Sequence, residues 1–159
     1  MVFDNKIWVI GGYGQVGNMN DIWYSENGAN WSQATGEAPF SARNLHMALV
    51  FNDKMWVIGG QTSQTGENDV WYSNDGMNWI QATSAASFSK RVQNTVTMFD
   101  NKLWVIGGYS SHGDSSILEV NDDIWYSKDG VLWKESNTSV SFLKDIDIIP
   151  WFLMKDFGL

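Results

Sequence analysis

The sequence predicts an all-β fold made of repeated four-stranded antiparallel units. One long segment recurs three times, and nine of the ten tryptophans occupy equivalent positions in the three copies. Short runs rich in β-branched and aromatic residues alternate with Asn, Asp and Gly turn signals. No segment has the apolar period of an amphipathic helix. Together these observations indicate a β-repeat architecture.

Two elements define the repeat. The first reads FDNKIWVIGG (3–12), FNDKMWVIGG (51–60) and FDNKLWVIGG (99–108), with its Trp8, Trp56 and Trp104 spaced by 48 residues. The second reads NDIWYSENGANW (20–31), NDVWYSNDGMNW (68–79) and DDIWYSKDGVLW (122–133). Its spacing is 48 and then 54 residues, so the third copy carries a six-residue insertion between the two elements.

Each copy is predicted to form two hairpins. In the second copy, HMALVF and KMWVI flank the two-residue turn Asn52-Asp53, and DVWYS and NWIQAT flank Asn74-Asp75-Gly76. Asn, Asp and Gly tolerate the positive φ that tight hairpin turns require. Four short strands in about 48 residues are typical of one β-propeller blade.

The repeat resembles the kelch repeat of bacterial kelch proteins. Four apolar residues precede Gly-Gly, and a Tyr then lies seven positions before a Trp. The motif residues are Gly11, Gly12, Tyr24 and Trp31, then Gly59, Gly60, Tyr72 and Trp79, then Gly107, Gly108, Tyr126 and Trp133. The resemblance implies three four-stranded kelch-type β-propeller blades, half of a six-bladed propeller.

By this resemblance, the blades span about 1–37, 38–85 and 86–141, and a tail, 142–159, follows. Phe142 lies nine residues after Trp133, so the tail starts in register with a further inner strand, although Asp145 replaces the repeated Arg and Pro150 interrupts the run. Three blades are too few to close a propeller of about four to eight. We expect a homodimer of two half-propellers, with the tail completing a blade; a truncated or engineered fragment that only self-assembles is the alternative.

A glycine cluster in the first copy imitates a dinucleotide-binding motif. Gly12-x-Gly14-x-x-Gly17 follows an apolar run, but only the Gly-Gly pair recurs in the other copies. No helix is predicted after it, and a helix N-terminus supplies most of the attraction for phosphate in such sites. We interpret the pair as a structural feature that lets the backbone turn and pack closely.

Composition narrows the function classes. Ten basic and 18 acidic residues give a net charge of −8, which disfavours nucleic acid and anionic membranes as partners. The absence of cysteine excludes disulfides, thiolate metal sites and cysteine nucleophiles. No signal-peptide or membrane-spanning pattern is present, and we expect a soluble chain whose compartment stays open.

The residues after each Gly-Gly are predicted to share one face with the residues that open the inner strands, because the two ends of an antiparallel hairpin meet. Related kelch proteins bind partners through the loops of this face. The candidate binding residues are Tyr13, Gln15, Arg43, Asn44, His46, Gln61, Thr62, Arg91, Gln93, Asn94, Tyr109, Ser110 and His112.

Several of these candidates have a second interpretation. Arg43 and Arg91, the only arginines, serve either to recognise a carboxylate or acidic peptide or to form a structural ion pair between blades. His46 is favoured as a packed or hydrogen-bonded residue, and His112 as a solvated one. Asp122 and Asp123 could be carboxylate ligands, but no calcium-loop spacing surrounds them, and Asp69 before the equivalent strand favours a strand-start or turn role. Asp145 and Asp147 could form a carboxylate pair, but the sequence does not predict the conformation of the tail. The regular spacing of the repeated tryptophans favours blade packing over sugar stacking.

The sequence therefore predicts a non-enzymatic kelch module that binds a protein or other ligand, with no cofactor, no metal and no catalytic residue assigned. Galactose-oxidase-like chemistry needs a Tyr–Cys crosslink, and the chain has no cysteine. A sialidase needs an arginine cluster, and this chain has only two arginines, although a dimer would present four. A sialic-acid mutarotase-like activity, or another carbohydrate-active kelch function, stays an alternative because it asks only for a few polar groups in a channel.

Overall fold

The computed structural model of the chain describes residues 1–111 and 118–136, and their regular structure is entirely β. The first sheet contains β1 (Val2–Phe3), β2 (Lys6–Gly14), β3 (Gly17–Ser25) and β4 (Ser32–Thr35). The second sheet contains β5 (Met47–Phe51), β6 (Lys54–Gln61), β7 (Gly66–Ser73) and β8 (Trp79–Thr83). The third sheet contains β9 (Thr95–Phe99), β10 (Lys102–Ile106), β13 (Ile124–Ser127) and β14 (Lys134–Glu135).

Each of these sheets is an antiparallel meander, in which every strand pairs with the strand before it in the repeat. A separate two-stranded sheet, β11 (Tyr109–Ser111) and β12 (Leu118–Val120), extends the central hairpin of the third sheet. The prediction of an all-β chain with four-stranded antiparallel units is therefore confirmed. Among the described residues, no helix is long and apolar enough to cross a membrane.

The first hairpin of every sheet has the turn that its sequence predicts. Asn52 and Asp53 have φ of 49° and 54°, and Phe51 pairs with Lys54 across them. The equivalent pairs Asp4–Asn5 and Asp100–Asn101 have the same positive φ. Two consecutive positive φ values define a type I′ turn, whose twist matches that of the flanking strands.

The third hairpin turn is stabilised by a side chain. The carboxylate of Asp75 accepts hydrogen bonds from the backbone N–H groups of Met77 and Asn78, each at 2.8 Å. Desolvation alone would raise the pKa of Asp75, but these bonds, with others from the Asn78 and Ser73 side chains, lower the pKa to about 2. Asn27 and Asp129 form the same contacts in the first and third sheets.

The first strands of the second and third sheets begin later than predicted. The kelch resemblance implies inner strands over 43–51 and 91–99, whereas β5 starts at Met47 and β9 at Thr95. Leu45 and Gln93 have φ of 53° and 54°, which a continuous strand does not permit. Before each break, one residue hydrogen-bonds to the preceding sheet, and the residue after it hydrogen-bonds to the unit that the segment leads into.

The core lies between the sheets. One cluster joins the first and second sheets through Trp8 and Ile10 on β2 and Met55 and Val57 on β6. A second cluster joins the second and third sheets through Trp56 and Ile58 on β6 and Leu103 and Val105 on β10. Because side chains alternate across a strand, β6 contributes one set of residues to each cluster, so the second sheet is covered on both faces.

A tryptophan of one sheet lies against a turn glycine of the next. A Cβ added to Gly76 would lie 2.2 Å from the Trp8 ring, and one added to Gly130 would lie 2.1 Å from the Trp56 ring. Any side chain larger than hydrogen would overlap the indole, so these glycines are required by close packing as well as by their positive φ. The predicted blade boundaries stay untested, and the tail, 142–159, lies outside the described residues.

Candidate functional site

The candidate binding residues lie at one end of the sheets, which we call the loop face. It consists of the β2–β3 turn, the β6–β7 turn, β11, and the segments 43–46 and 91–94. The structure brings these parts together as predicted: Asn44 and Gln61 exchange backbone hydrogen bonds of 3.0 and 2.7 Å, and Val92 and Tyr109 exchange two of 2.9 Å. These bonds join each of the two segments to the sheet that it leads into.

The predicted residues differ widely in their access to solvent. Tyr13 and Gln15 are exposed, and Val16, which the sequence analysis did not select, is the most exposed large apolar residue described. A larger group is partly buried: Asn44, His46, Gln61, Thr62, Gln93 and Tyr109. Four are buried: Arg43, Arg91, Asn94 and Ser110. His112 lies outside the described residues.

Arg43 forms the structural ion pair that the sequence left as one of two alternatives. Its guanidinium donates to both carboxylate oxygens of Asp69, at 2.5 and 2.9 Å, and to the carbonyl of Gly59 at 3.0 Å. Its backbone meanwhile bonds to Met19 and Gly12 of the first sheet. Arg43 therefore connects two sheets, its backbone to one and its side chain to the other.

Arg91 repeats this arrangement one sheet further along. It donates to Asp123 at 2.6 and 2.8 Å and to the carbonyl of Gly107 at 3.0 Å, while its backbone bonds to Glu67 of the second sheet. Desolvation works to raise the pKa of Asp123, but the bonds from Arg91 and Trp125 lower it. Both guanidinium groups are buried and bidentate, so we do not count them in the solvent-facing part of the loop face.

The sequence interpretation did not name the carboxylates that pair with the two arginines. Asp69 was interpreted as a strand-start residue, and Asp123 was considered only as a weak carboxylate ligand. The signal was present in the spacing: 26 residues separate Arg43 from Asp69, and 32 separate Arg91 from Asp123, the difference being the six-residue insertion. The equivalent residue of the first sheet, Asp21, has no arginine partner, because the chain's two arginines pair with Asp69 and Asp123. Asp21 accepts a hydrogen bond from Trp23.

His46 is packed between sheets, as its favoured interpretation predicted. Its ring lies near Gly11 of the first sheet, and its Cβ lies against the position that a side chain on Gly60 would occupy. Desolvation, followed by repulsion from Arg43, lowers its pKa from 6.5 to about 4 despite a hydrogen bond to the backbone of Ile10. The imidazole is therefore neutral at physiological pH and serves as a packing residue.

In the part of the chain that the structure describes, we find no cluster of side chains suited to catalysis. No group of three or more His, Asp or Glu within residues 1–111 and 118–136 is placed to hold a metal ion. One concavity lies beside the Asn27 turn, at the opposite end of the sheets from the loop face. A second lies beside Pro39 and borders the loop face at Ser41 and Ala42. No known protein-family model matches the chain, and no curated protein matches it.

Proposed function

We propose that the chain is a non-enzymatic kelch-type β-propeller module whose sheets are blades, and that it binds a protein partner through its loop face. One observation carries the architectural part: the junctions between successive sheets are built from the same contacts at equivalent positions. Trp8 lies on Gly76 as Trp56 lies on Gly130, and Arg43 pairs with Asp69 as Arg91 pairs with Asp123.

Repetition of one junction supports a ring. If each sheet contacts the next in the same way, the sheets turn by a similar step each time, which is how propeller blades surround an axis. The first strands of successive sheets also converge: β5 and β9 are neighbours, and the N–H of Gln93 donates to the carbonyl of Leu45 at 3.4 Å. This is the position that inner strands occupy beside a propeller channel.

The binding part of the proposal rests on the tip of the β2–β3 hairpin. Tyr13 is 74% exposed and Val16 is 89% exposed, side by side with the polar Gln15. An exposed tyrosine is a typical anchor of a protein interface, and Val16 adds apolar surface near it. The equivalent turns of the other sheets differ in length and sequence, which is expected of a surface that selects a partner.

A random-peptide phage library selected against the purified protein tests this proposal. We expect selected peptides to bind at the loop face, so that Tyr13→Ala weakens their binding by at least about tenfold. Met77→Ala is the matched control, because Met77 is also exposed and apolar but lies at the opposite end of the sheets. Peptides that lose affinity on Met77→Ala and not on Tyr13→Ala would contradict the assignment.

The carbohydrate-active alternative is examined in parallel with N-acetylneuraminic acid. The exposed hairpin tip favours a protein, so we expect this sugar to leave the thermal unfolding midpoint unchanged. A saturable rise in the midpoint, together with accelerated interconversion of the sugar's anomers, would overturn the non-enzymatic proposal.

A further inference from the structure

The outward face of the first sheet is apolar and uncovered within the described residues. Val9 is 47% exposed, whereas Val57 at the equivalent position is fully buried against the preceding sheet. Trp31 is 39% exposed, whereas the equivalent Trp79 is 7% exposed. The side chains that a preceding sheet covers in the second and third sheets are thus left open in the first.

The third sheet is also uncovered within the described residues, on the face where the first and second sheets are covered by the sheet that follows them. Phe99 is 70% exposed, whereas the equivalent Phe51 is 1% exposed under the following sheet. Trp104 occupies the place of Trp8 and Trp56, and its indole N–H donates to the carbonyl of Phe99 just as the Trp56 indole donates to Phe51. Among the described residues, however, no turn glycine lies beneath the Trp104 ring.

The two open faces complement each other. Gly28 is the equivalent of Gly76 and Gly130, with the same φ of 75°, yet a Cβ added to it would meet only Ile7 Cδ1 at 3.7 Å. The first sheet therefore presents a turn glycine without a tryptophan, and the third sheet presents a tryptophan without a turn glycine. The contacts within the chain show how these two surfaces fit.

We propose that the third sheet of one copy packs on the first sheet of a second copy, with Trp104 over Gly28, and that two such junctions close a two-fold dimer. This inference rests on the proposed propeller. The described residues of one chain form three four-stranded sheets, so two copies offer six and three offer nine. Of these numbers, only six lies within the usual range of about four to eight blades. Head-to-tail contacts that close leave no open edge for filament growth.

Serine substitutions on the two faces test the interface by sedimentation equilibrium on the full chain. We expect Val9→Ser and Phe99→Ser each to weaken dimerisation by at least about 100-fold, since each removes an apolar contact from both junctions. Both side chains are substantially exposed in the single chain, so both variants should fold, as judged by circular dichroism. Ile80→Ser, which alters an exposed apolar residue of β8 in the second sheet, is the matched control and should dimerise normally.

Mixing the two variants separates this arrangement from its rivals. In the mixed dimer, one junction is unaltered and the other carries both substitutions. The residues equivalent to this pair, Phe51 and Val105, lie in one core cluster, so losing both from one junction should cost less than losing one from each of two junctions. The heterodimer should therefore be more stable than the average of the two variant homodimers. Like-to-like pairing of third sheets would leave Val9→Ser dimeric and give no rescue, which overturns the proposal. A wild-type chain that stays monomeric at high concentration overturns it as well.

Failure of this interface and failure of the proposed function give different results. If the wild-type chain is a folded monomer whose selected peptides still require Tyr13, the dimer inference is wrong and loop-face binding stands. If the dimer forms and the variants rescue each other while peptides bind elsewhere, the binding proposal is wrong and the interface stands.

Discussion

At the scale of single residues, the packing between sheets determines which side chains are permitted. His46 and Asn94 occupy equivalent positions beside the glycine pairs, so one site accepts both an imidazole and an amide. Gly28, Gly76 and Gly130 share one backbone conformation, but only the last two lie against an indole in the described chain. The repeat thus supplies its own controls, because the same residue occurs in covered and uncovered settings.

His46 should make the protein sensitive to mild acid. The unfolded chain takes up a proton on this residue below about pH 6.5, whereas the folded chain does so only near pH 4. Stability conferred by the neutral ring is therefore fully present above pH 6.5 and is lost as the pH falls toward 4, by ~2–3 kcal/mol. Chemical denaturation of wild type and His46→Asn across this range should show a flatter profile for the variant; parallel profiles would contradict the assignment.

Alanine at the turn glycines should separate packing from backbone strain. Gly76→Ala imposes both a positive-φ penalty of ~1 kcal/mol and overlap with Trp8, which costs ~1–3 kcal/mol more. Gly28→Ala imposes the backbone penalty alone in the single chain. Urea unfolding at concentrations too low for self-association should therefore show a larger loss for Gly76→Ala. Equal losses would mean that the tryptophan does not pack closely on the turn.

At the scale of elements, the segments that lead into the second and third sheets each carry an arginine that connects two sheets. The bidentate pairs of Arg43 and Arg91 are buried, and removing one partner of a buried pair leaves the other charge uncompensated. Asp69 and Asp123 occupy equivalent positions in the second element of the repeat, so the sequence alone shows that the two residues correspond.

Neutralising the carboxylates should show which of them belong to such pairs. Asp69→Asn should lower the free energy of unfolding by ~3 kcal/mol or more, since it leaves Arg43 buried without its counter-charge. Asp21→Asn should cost less than ~1 kcal/mol, because Asp21 accepts a hydrogen bond from Trp23 but faces no arginine. Similar costs for the two variants in urea titrations would contradict the role of the ion pair.

The sequence predicted the strands well because turn chemistry is local. Pairs such as Asn52-Asp53 and the glycines of the third turn specify their own backbone conformation, and the tryptophan spacing fixes the repeat. It predicted the loop face only in outline. Burial of Arg43 and exposure of Tyr13 depend on how neighbouring sheets pack, and that long-range contact has no local signal.

At the scale of the whole molecule, the two outer sheets present apolar faces that match the covered faces within the chain. Exposed apolar surfaces of this kind favour association in water. Under the proposed dimer, Trp104, Phe99, Val9 and Trp31 become buried, and each inter-sheet surface of the ring has the same composition. A self-associating propeller explains why these positions retain the core residue types of the repeat.

The most direct test of this account is the mass of the wild-type protein in solution, by light scattering on a sizing column. We expect a single species of about twice 18.0 kDa that resists dilution. A folded monomer near 18.0 kDa across the concentration range, or a broad series of larger aggregates, would contradict the closed two-copy ring.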